Sequence, residues 1–91
     1  MKIETLYKIN YNLNWLKKIS HSLSRLDTNA CNYGLTPKQE KRVERLEKKA
    51  EVLAKELGLS AYHQGDPRGC SLYLIDKTMD NTTYNRGIAI Y

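Results

Sequence analysis

Hydrophobic residues in the first third of the chain recur every three or four positions, which is the period of an amphipathic helix. The repeat runs from Lys2 to about Leu26, and its members are Leu6, Ile9, Leu13, Leu16, Ile19, Leu23 and Leu26. Tyr7, Tyr11 and Trp15 follow an adjoining stripe at steps of four. The pattern predicts a helix with an aromatic flank, and that flank either completes the core or stacks on bases or a protein partner.

A second helix is predicted after a polar connecting segment. Asp27–Leu35 has the composition of a loop, because its short polar residues bond their own backbone. Thr36 is a helix N-cap, Pro37 fits the first turn and Gln39 completes a capping box. Gly58 follows as a C-terminal stop.

The second helix carries a hydrophobic stripe at heptad spacing. Its members are Val43, Leu46, Ala50, Leu53 and Leu57. The packing partner of this stripe is the first helix, the sheet or the same helix of a second chain. A homodimer through the second helix is therefore one of the expectations.

The hydrophobic period changes to two after Gly58, which indicates β structure. Three strands are predicted, over Leu59–Gln64, Cys70–Asp76 and Tyr84–Tyr91. Alternation places Leu72 and Leu74 on one face of the sheet and Tyr73 on the other. The fold class is therefore α+β, with two N-terminal helices followed by a three-stranded antiparallel sheet in the order α-α-β-β-β. We expect a single domain over 1–91, made of a helix and loop (1–35), a charged helix (36–58) and a β-meander (59–91).

Composition favours an acidic partner. The chain has 91 residues and a formal charge of +5, and residues 1–35 carry five Lys or Arg against two acids. The lysines expected to contact phosphates are Lys17, Lys18, Lys48 and Lys49. Two cysteines and no secretory leader predict an intracellular protein with both thiols reduced. No apolar run approaches the roughly 20 residues that span a bilayer, so no membrane partner is expected.

The turn between the first two predicted strands has the most distinctive composition in the chain. Asp66 precedes a proline and favours a turn, and Arg68 stands at its apex between Pro67 and Gly69. Arg68 either pairs with Asp66 or offers its guanidinium to a phosphate or carboxylate. The residues predicted to bind a ligand or partner here are His63, Gln64, Asp66, Arg68, Tyr73 and Arg86, and Trp15 joins them on the first helix.

Two chemical alternatives involve the same hairpin. His63, Asp66 and Cys70 contain the residue types of a base, its orienting group and a thiol nucleophile. The simpler interpretation makes His63 and Cys70 a cross-strand pair, with a packed thiol and a histidine bonded to the loop. A zinc site is not predicted, because the cysteines and histidines lack close paired spacing. We expect neither an enzyme nor a cofactor.

The run Tyr-His-Gln-x-Asp-Pro-Arg-Gly-Cys-x-Leu-Tyr at residues 62–73, followed by Tyr-x-Arg-Gly-Ile-Ala at residues 84–89, resembles the C-terminal part of small uncharacterised phage and prophage proteins. This resemblance covers about a third of the chain. It implies an origin on a mobile element, a place in the cytoplasm of the bacterial host, and no particular reaction. By analogy with small basic phage proteins, it favours a protein that binds host machinery or nucleic acid.

Three functions follow as hypotheses. The first is an accessory protein that inhibits or modulates a host defence complex handling nucleic acid, as an anti-CRISPR protein does. The second is a regulator that binds nucleic acid through Lys17, Lys18 and the basic side of the second helix. The third is a small enzyme or ligand sponge built on the hairpin from His63 to Cys70.

Overall fold

A computed structural model describes residues 2–63, 72–76 and 88–90 of the chain. Its elements are helix α1 (Ile3–Tyr33), helix α2 (Pro37–Glu56), and strands β1 (Ser60–His63), β2 (Leu72–Ile75) and β3 (Ile88–Ile90). The helices form an antiparallel pair on one face of an antiparallel sheet with strand order β1-β2-β3. The predicted α+β class is confirmed. Within the described residues, no helix is long and apolar enough to cross a membrane.

Helix α1 is longer than the sequence pattern predicts. The expected loop over Asp27–Leu35 is wrong for most of its length, since the helix continues to Tyr33. Polar side chains in this stretch favoured a loop in the sequence, but they form hydrogen bonds within the helix or across its end. The Thr28 hydroxyl donates to the Ser24 carbonyl, and the Asn29 amide donates to the Gly34 carbonyl. The connector between the helices is therefore only residues 34–36.

The two ends of α2 are formed as the sequence predicts. The Thr36 hydroxyl accepts from the Gln39 backbone N–H at 3.2 Å, and the Gln39 side chain accepts from the Thr36 N–H at 3.0 Å. At the other end, Gly58 has φ 76°, a conformation that L side chains rarely adopt. The Leu59 N–H bonds to the Ala54 carbonyl, which together with the bond from Gly58 to Lys55 makes a Schellman motif.

The core contains polar groups that the hydrophobic pattern does not reveal. Leu16, Ile19 and Leu23 are buried as predicted, whereas Leu6 is 52% exposed. Three polar residues are buried on the same face of α1: Asn12, Ser20 and Asp27. The Ser20 hydroxyl donates to the Ile90 carbonyl and so ties α1 to β3.

Asn12 joins the two helices where α2 ends. Its side-chain amide donates to the Leu53 carbonyl at 3.0 Å and to the Glu56 carboxylate at 2.9 Å. The Leu53 carbonyl needs this donor, because the N–H four residues later, on Leu57, bonds to Ala54 instead. Asn12 therefore completes the hydrogen bonding of the last turn of α2.

The hydrophobic stripe of α2 packs on its own domain. Ala50 and Leu53 are buried, and Val43, Leu46 and Leu57 pack against the same core. The expectation that this stripe pairs with a second chain is therefore corrected. The short connector holds α1 and α2 side by side, so the stripe of α2 is covered by α1 and the rest of the core.

The strand register separates two groups of side chains. His63 pairs with Leu72 and Tyr62 pairs with Tyr73. Residues directly opposite each other share a face, so His63 lies on the helix side with buried Leu72, while the two tyrosines lie on the other side. The predicted cross-strand pairing of His63 with Cys70 is wrong, since the register places Leu72 opposite His63.

Replacing Asn12 tests how far the helix pair depends on one amide. We expect Asn12→Ala to lower the free energy of unfolding by about 1–3 kcal/mol, because a buried carbonyl loses its donor. Asn12→Asp should cost more, since it places a carboxylate against a carbonyl and the carboxylate of Glu56. Urea denaturation provides the measurement.

Asn10→Asp is the control for Asn12→Asp, because Asn10 is exposed on the same helix. It should change the free energy of unfolding by no more than about 0.5 kcal/mol. Equal effects at positions 10 and 12 would contradict the role assigned to Asn12.

Candidate functional site

Trp15 is the centre of a basic cluster contributed by both helices. The Lys18 ammonium lies 4.9 Å from the centroid of the indole ring and the Lys49 ammonium lies 3.9 Å from it. Both distances are within the range of cation–π attraction. Trp15 itself is half-buried and packs on the core, so the ring has a fixed position. The structure thus brings together three of the residues predicted to bind a partner.

The charges of α2 are segregated on the two sides of its hydrophobic stripe. The cationic residues at steps of four, three and four are Lys38, Arg42, Arg45 and Lys49. The anionic residues at the same steps are Glu40, Glu44, Glu47 and Glu51. Lys49 contacts Trp15 on α1, whereas Glu47 lies 3.5 Å from His63 on the sheet. The basic side of α2 therefore borders α1 and the acidic side borders the sheet.

A groove of about 600 Å³ lies along the basic side of α2. It is lined by Thr36, Lys38, Gln39, Arg42, Arg45 and Leu46. Among the residues that the structure describes, no salt bridge neutralises Lys38, Arg42 or Arg45. The groove therefore presents uncompensated positive charge to solvent.

Lys17 and Lys48 do not join the Trp15 cluster. Each precedes a cluster lysine in sequence and is exposed, but one helical residue turns the side chain by about 100°. Lys48 borders a different groove, with Glu51, Val52 and Lys55. Of the four lysines predicted to act together, only Lys18 and Lys49 therefore share a surface.

His63 is held between two carboxylates from different helices. Its Nε2 atom lies 2.9 Å from the nearer oxygen of Asp27, and its Nδ1 atom lies 3.5 Å from the Glu47 carboxylate. The side chains of His63 and Asp27 are only 11% and 9% exposed, whereas that of Glu47 is 45% exposed. The imidazole thereby connects the end of β1 to both α1 and α2.

This arrangement differs from the thiol chemistry that the hairpin suggested. The partner of His63 is Asp27, which lies on α1 and is 36 residues away in the sequence. Asp66 and Cys70 lie outside the described residues, and Cys31 is exposed in the last turn of α1. Within the described part of the chain, no group of three or more candidate ligands can hold a metal ion. The contacts of His63 are those of a structural histidine.

The anion site predicted at the hairpin is divided by the sheet. His63 faces the helices, whereas Tyr73 lies on the opposite face beside Tyr62, which is 53% exposed. These side chains cannot surround one ligand. The other predicted members, Gln64, Asp66, Arg68 and Arg86, lie outside the described residues.

Sequence reasoning missed two sets of residues for different reasons. The basic set Lys38, Arg42 and Arg45 was visible in the steps of four and three along α2. Asp27 follows the buried Leu23 by one helical turn, which was a weaker signal because its short polar neighbours favour a loop.

The His63 cluster predicts a measurable coupling. Asp27→Ala and His63→Ala should each lower the free energy of unfolding by about 1–3 kcal/mol, because each removes a hydrogen bond between poorly exposed groups. In a double-mutant cycle the two effects should deviate from additivity by at least about 0.5 kcal/mol. Glu47→Ala should cost less than about 1 kcal/mol, since that carboxylate is half-exposed. Additive effects at 27 and 63 would show that the contact contributes nothing.

Comparison with known proteins assigns no family to the chain. No family model, curated protein or solved structure matches it. The functional argument therefore rests on the residues and their geometry.

Proposed function

We propose that the chain is a small accessory protein of the phage or prophage type that binds and modulates a host complex handling nucleic acid. Inhibition of a host defence complex, such as a CRISPR effector, is the form of modulation we favour. The observation that carries this proposal is the Trp15 cluster, in which one fixed indole ring holds Lys18 and Lys49 from separate helices.

The cluster suits an anionic partner for an electrostatic reason. Two ammonium groups beside one ring repel each other, and an anion placed near both relieves that repulsion. The ring restricts where the two charges lie, so less side-chain freedom is lost when a partner binds. The formal charge of +5 adds long-range attraction toward a polyanionic complex.

Binding has stronger support than catalysis. Both ring nitrogens of His63 lie beside carboxylate oxygens, and no described nucleophile stands next to the ring. The basic surface, by contrast, is open and carries uncompensated charge. The contacts of the described residues therefore favour a binding surface over a catalytic site.

A regulator that binds nucleic acid directly is the second candidate. The observation in its favour is the line of cationic residues on α2, which continues the Trp15 cluster toward the start of that helix. The two candidates differ in what the surface touches first, a host protein or its nucleic acid. Nuclease treatment separates them.

Charge reversal at the cluster provides the test, with a matched control on the same helices. The double variant Lys18→Glu/Lys49→Glu should reduce capture of the host complex from bacterial lysate by at least about tenfold, which corresponds to about 1.4 kcal/mol. Lys17→Glu/Lys48→Glu changes the net charge equally but lies off the cluster, and should reduce capture by no more than about twofold. Melting curves of both variants show whether the fold is retained.

Capture is measured with and without nuclease, and the captured species are identified by mass spectrometry and sequencing. A host defence complex retained after nuclease treatment supports the first candidate, and complete loss supports the second. Equal losses for the two double variants would contradict the assignment of the surface.

A further inference from the structure

We propose that single-stranded nucleic acid binds along one continuous track that starts at Lys38 on α2 and ends at Tyr7 on α1. The track is defined by Lys38, Arg42, Arg45, Lys49, Lys18, Tyr11 and Tyr7. This inference rests on the second form of the proposed function, direct binding of nucleic acid, and it names the kind of strand that the basic surface contacts.

The basic half of the track follows α2. Lys38, Arg42 and Arg45 line the groove of about 600 Å³, and Lys49 continues the same side of the helix to Trp15. At about 1.5 Å per residue, the line from Lys38 to Lys49 is roughly 16 Å long. Guanidinium groups bind phosphate oxygens in a bidentate manner, so this row suits a sugar–phosphate backbone.

The aromatic half follows α1 toward and past the end of α2. Asn12 contacts Leu53 and Glu56, so the final turn of α2 lies beside Asn12 and the first residues of α1 extend past it. Tyr11 directly precedes Asn12, and Tyr7 lies one turn further toward the N-terminus; their side chains are 60% and 71% exposed. Steps of four keep both tyrosines on the side of α1 that carries Trp15.

Exposed tyrosines favour a single strand over a duplex. An unpaired base can stack on an aromatic ring, whereas the bases of a duplex are already stacked on one another. Steps of four along α1 separate successive aromatic residues by about 6 Å. A strand with its phosphates on α2 can therefore place consecutive bases against Tyr11 and Tyr7.

Trp15 has a positioning role in this track. Lysine ammonium groups lie over its ring, so the ring holds cations and is not offered to a base. The sequence allowed the aromatic flank to stack as a whole, and the structure restricts stacking to the two tyrosines. Trp15 is also the single tryptophan of the chain, which makes it an intrinsic reporter of binding at the junction.

The test uses a fluorescein-labelled oligothymidine of 15 nucleotides and the full chain at about 50 mM salt, with anisotropy and Trp15 fluorescence as readouts. The log of the affinity should fall with the log of the salt concentration, with a slope near −0.7 per neutralised phosphate. Unlabelled single strands should displace the probe at a concentration at least about tenfold lower than a duplex of equal length.

Two double variants distinguish phosphate contacts from base stacking. Arg42→Ala/Arg45→Ala should weaken binding of both the oligonucleotide and inorganic polyphosphate at least about tenfold. Tyr7→Ala/Tyr11→Ala should weaken the oligonucleotide to a similar extent and leave polyphosphate unchanged, because polyphosphate has no bases. Lys41→Ala and Tyr33→Ala are the controls, since both residues are exposed and lie off the track.

Two results would overturn the inference. Equal affinity for single strand, duplex and polyphosphate would show a purely electrostatic surface without stacking. If the oligonucleotide does not bind but the host complex is still captured through Lys18 and Lys49, the track is wrong and the proposed function stands. If the oligonucleotide binds as expected and capture is insensitive to Lys18→Glu/Lys49→Glu, the proposed function fails instead.

Discussion

The contact of His63 with Asp27 and Glu47 connects every layer of this small domain. Asp27 belongs to α1, Glu47 to α2 and His63 to the last position of β1, so a single imidazole joins the sheet to both helices. The Asp27 contact is nearly inaccessible to water, and poorly solvated polar groups are stable only when paired. The end of β1 is therefore held against the helices, and β2 follows because it pairs with β1.

A second polar contact determines how the helices lie beside each other, and through that the position of the binding surface. Asn12 donates to the Leu53 carbonyl and so aligns the end of α2 with the turn of α1 that precedes Trp15. With this alignment, Lys49 lies over the indole ring. A shift of α2 by one residue would rotate its basic side by about 100° and separate Lys49 from the Trp15 ring. The buried Asn12 amide thus determines where Lys49 lies on the surface, next to Trp15.

The separation of charge on α2 allows one helix to contribute both to the fold and to the binding surface that we propose. Its acidic side borders the sheet and supplies Glu47 to His63, whereas its basic side borders α1 and supplies Lys49 to Trp15. The hydrophobic stripe between them packs in the core, so the charged surfaces of α2 are the ones left to contact a partner. Like charges along one side of a helix repel each other, and a polyanion placed near them relieves that repulsion, which is the physical basis for proposing a polyanionic partner.

The sequence by itself determined the features that depend on neighbouring residues. The capping box at Thr36, the positive φ of Gly58 and the alternation of Leu72 and Leu74 are local, because each depends on backbone geometry or side-chain period. The tertiary structure decided the length of α1 and the contacts between elements.

Local polar composition predicted a loop where α1 continues, and the prediction failed because Thr28 and Asn29 bond within the helix or across its end, while Asp27 bonds to His63 on the sheet. The carboxylate partners of His63 and the Lys49 partner of Trp15 lie on other elements, at separations that no local pattern encodes. Contacts of that kind exist only once the helices and the sheet have packed. For that reason the fold class was predictable, while the candidate site was predictable only in part, at Trp15, Lys18 and Lys49.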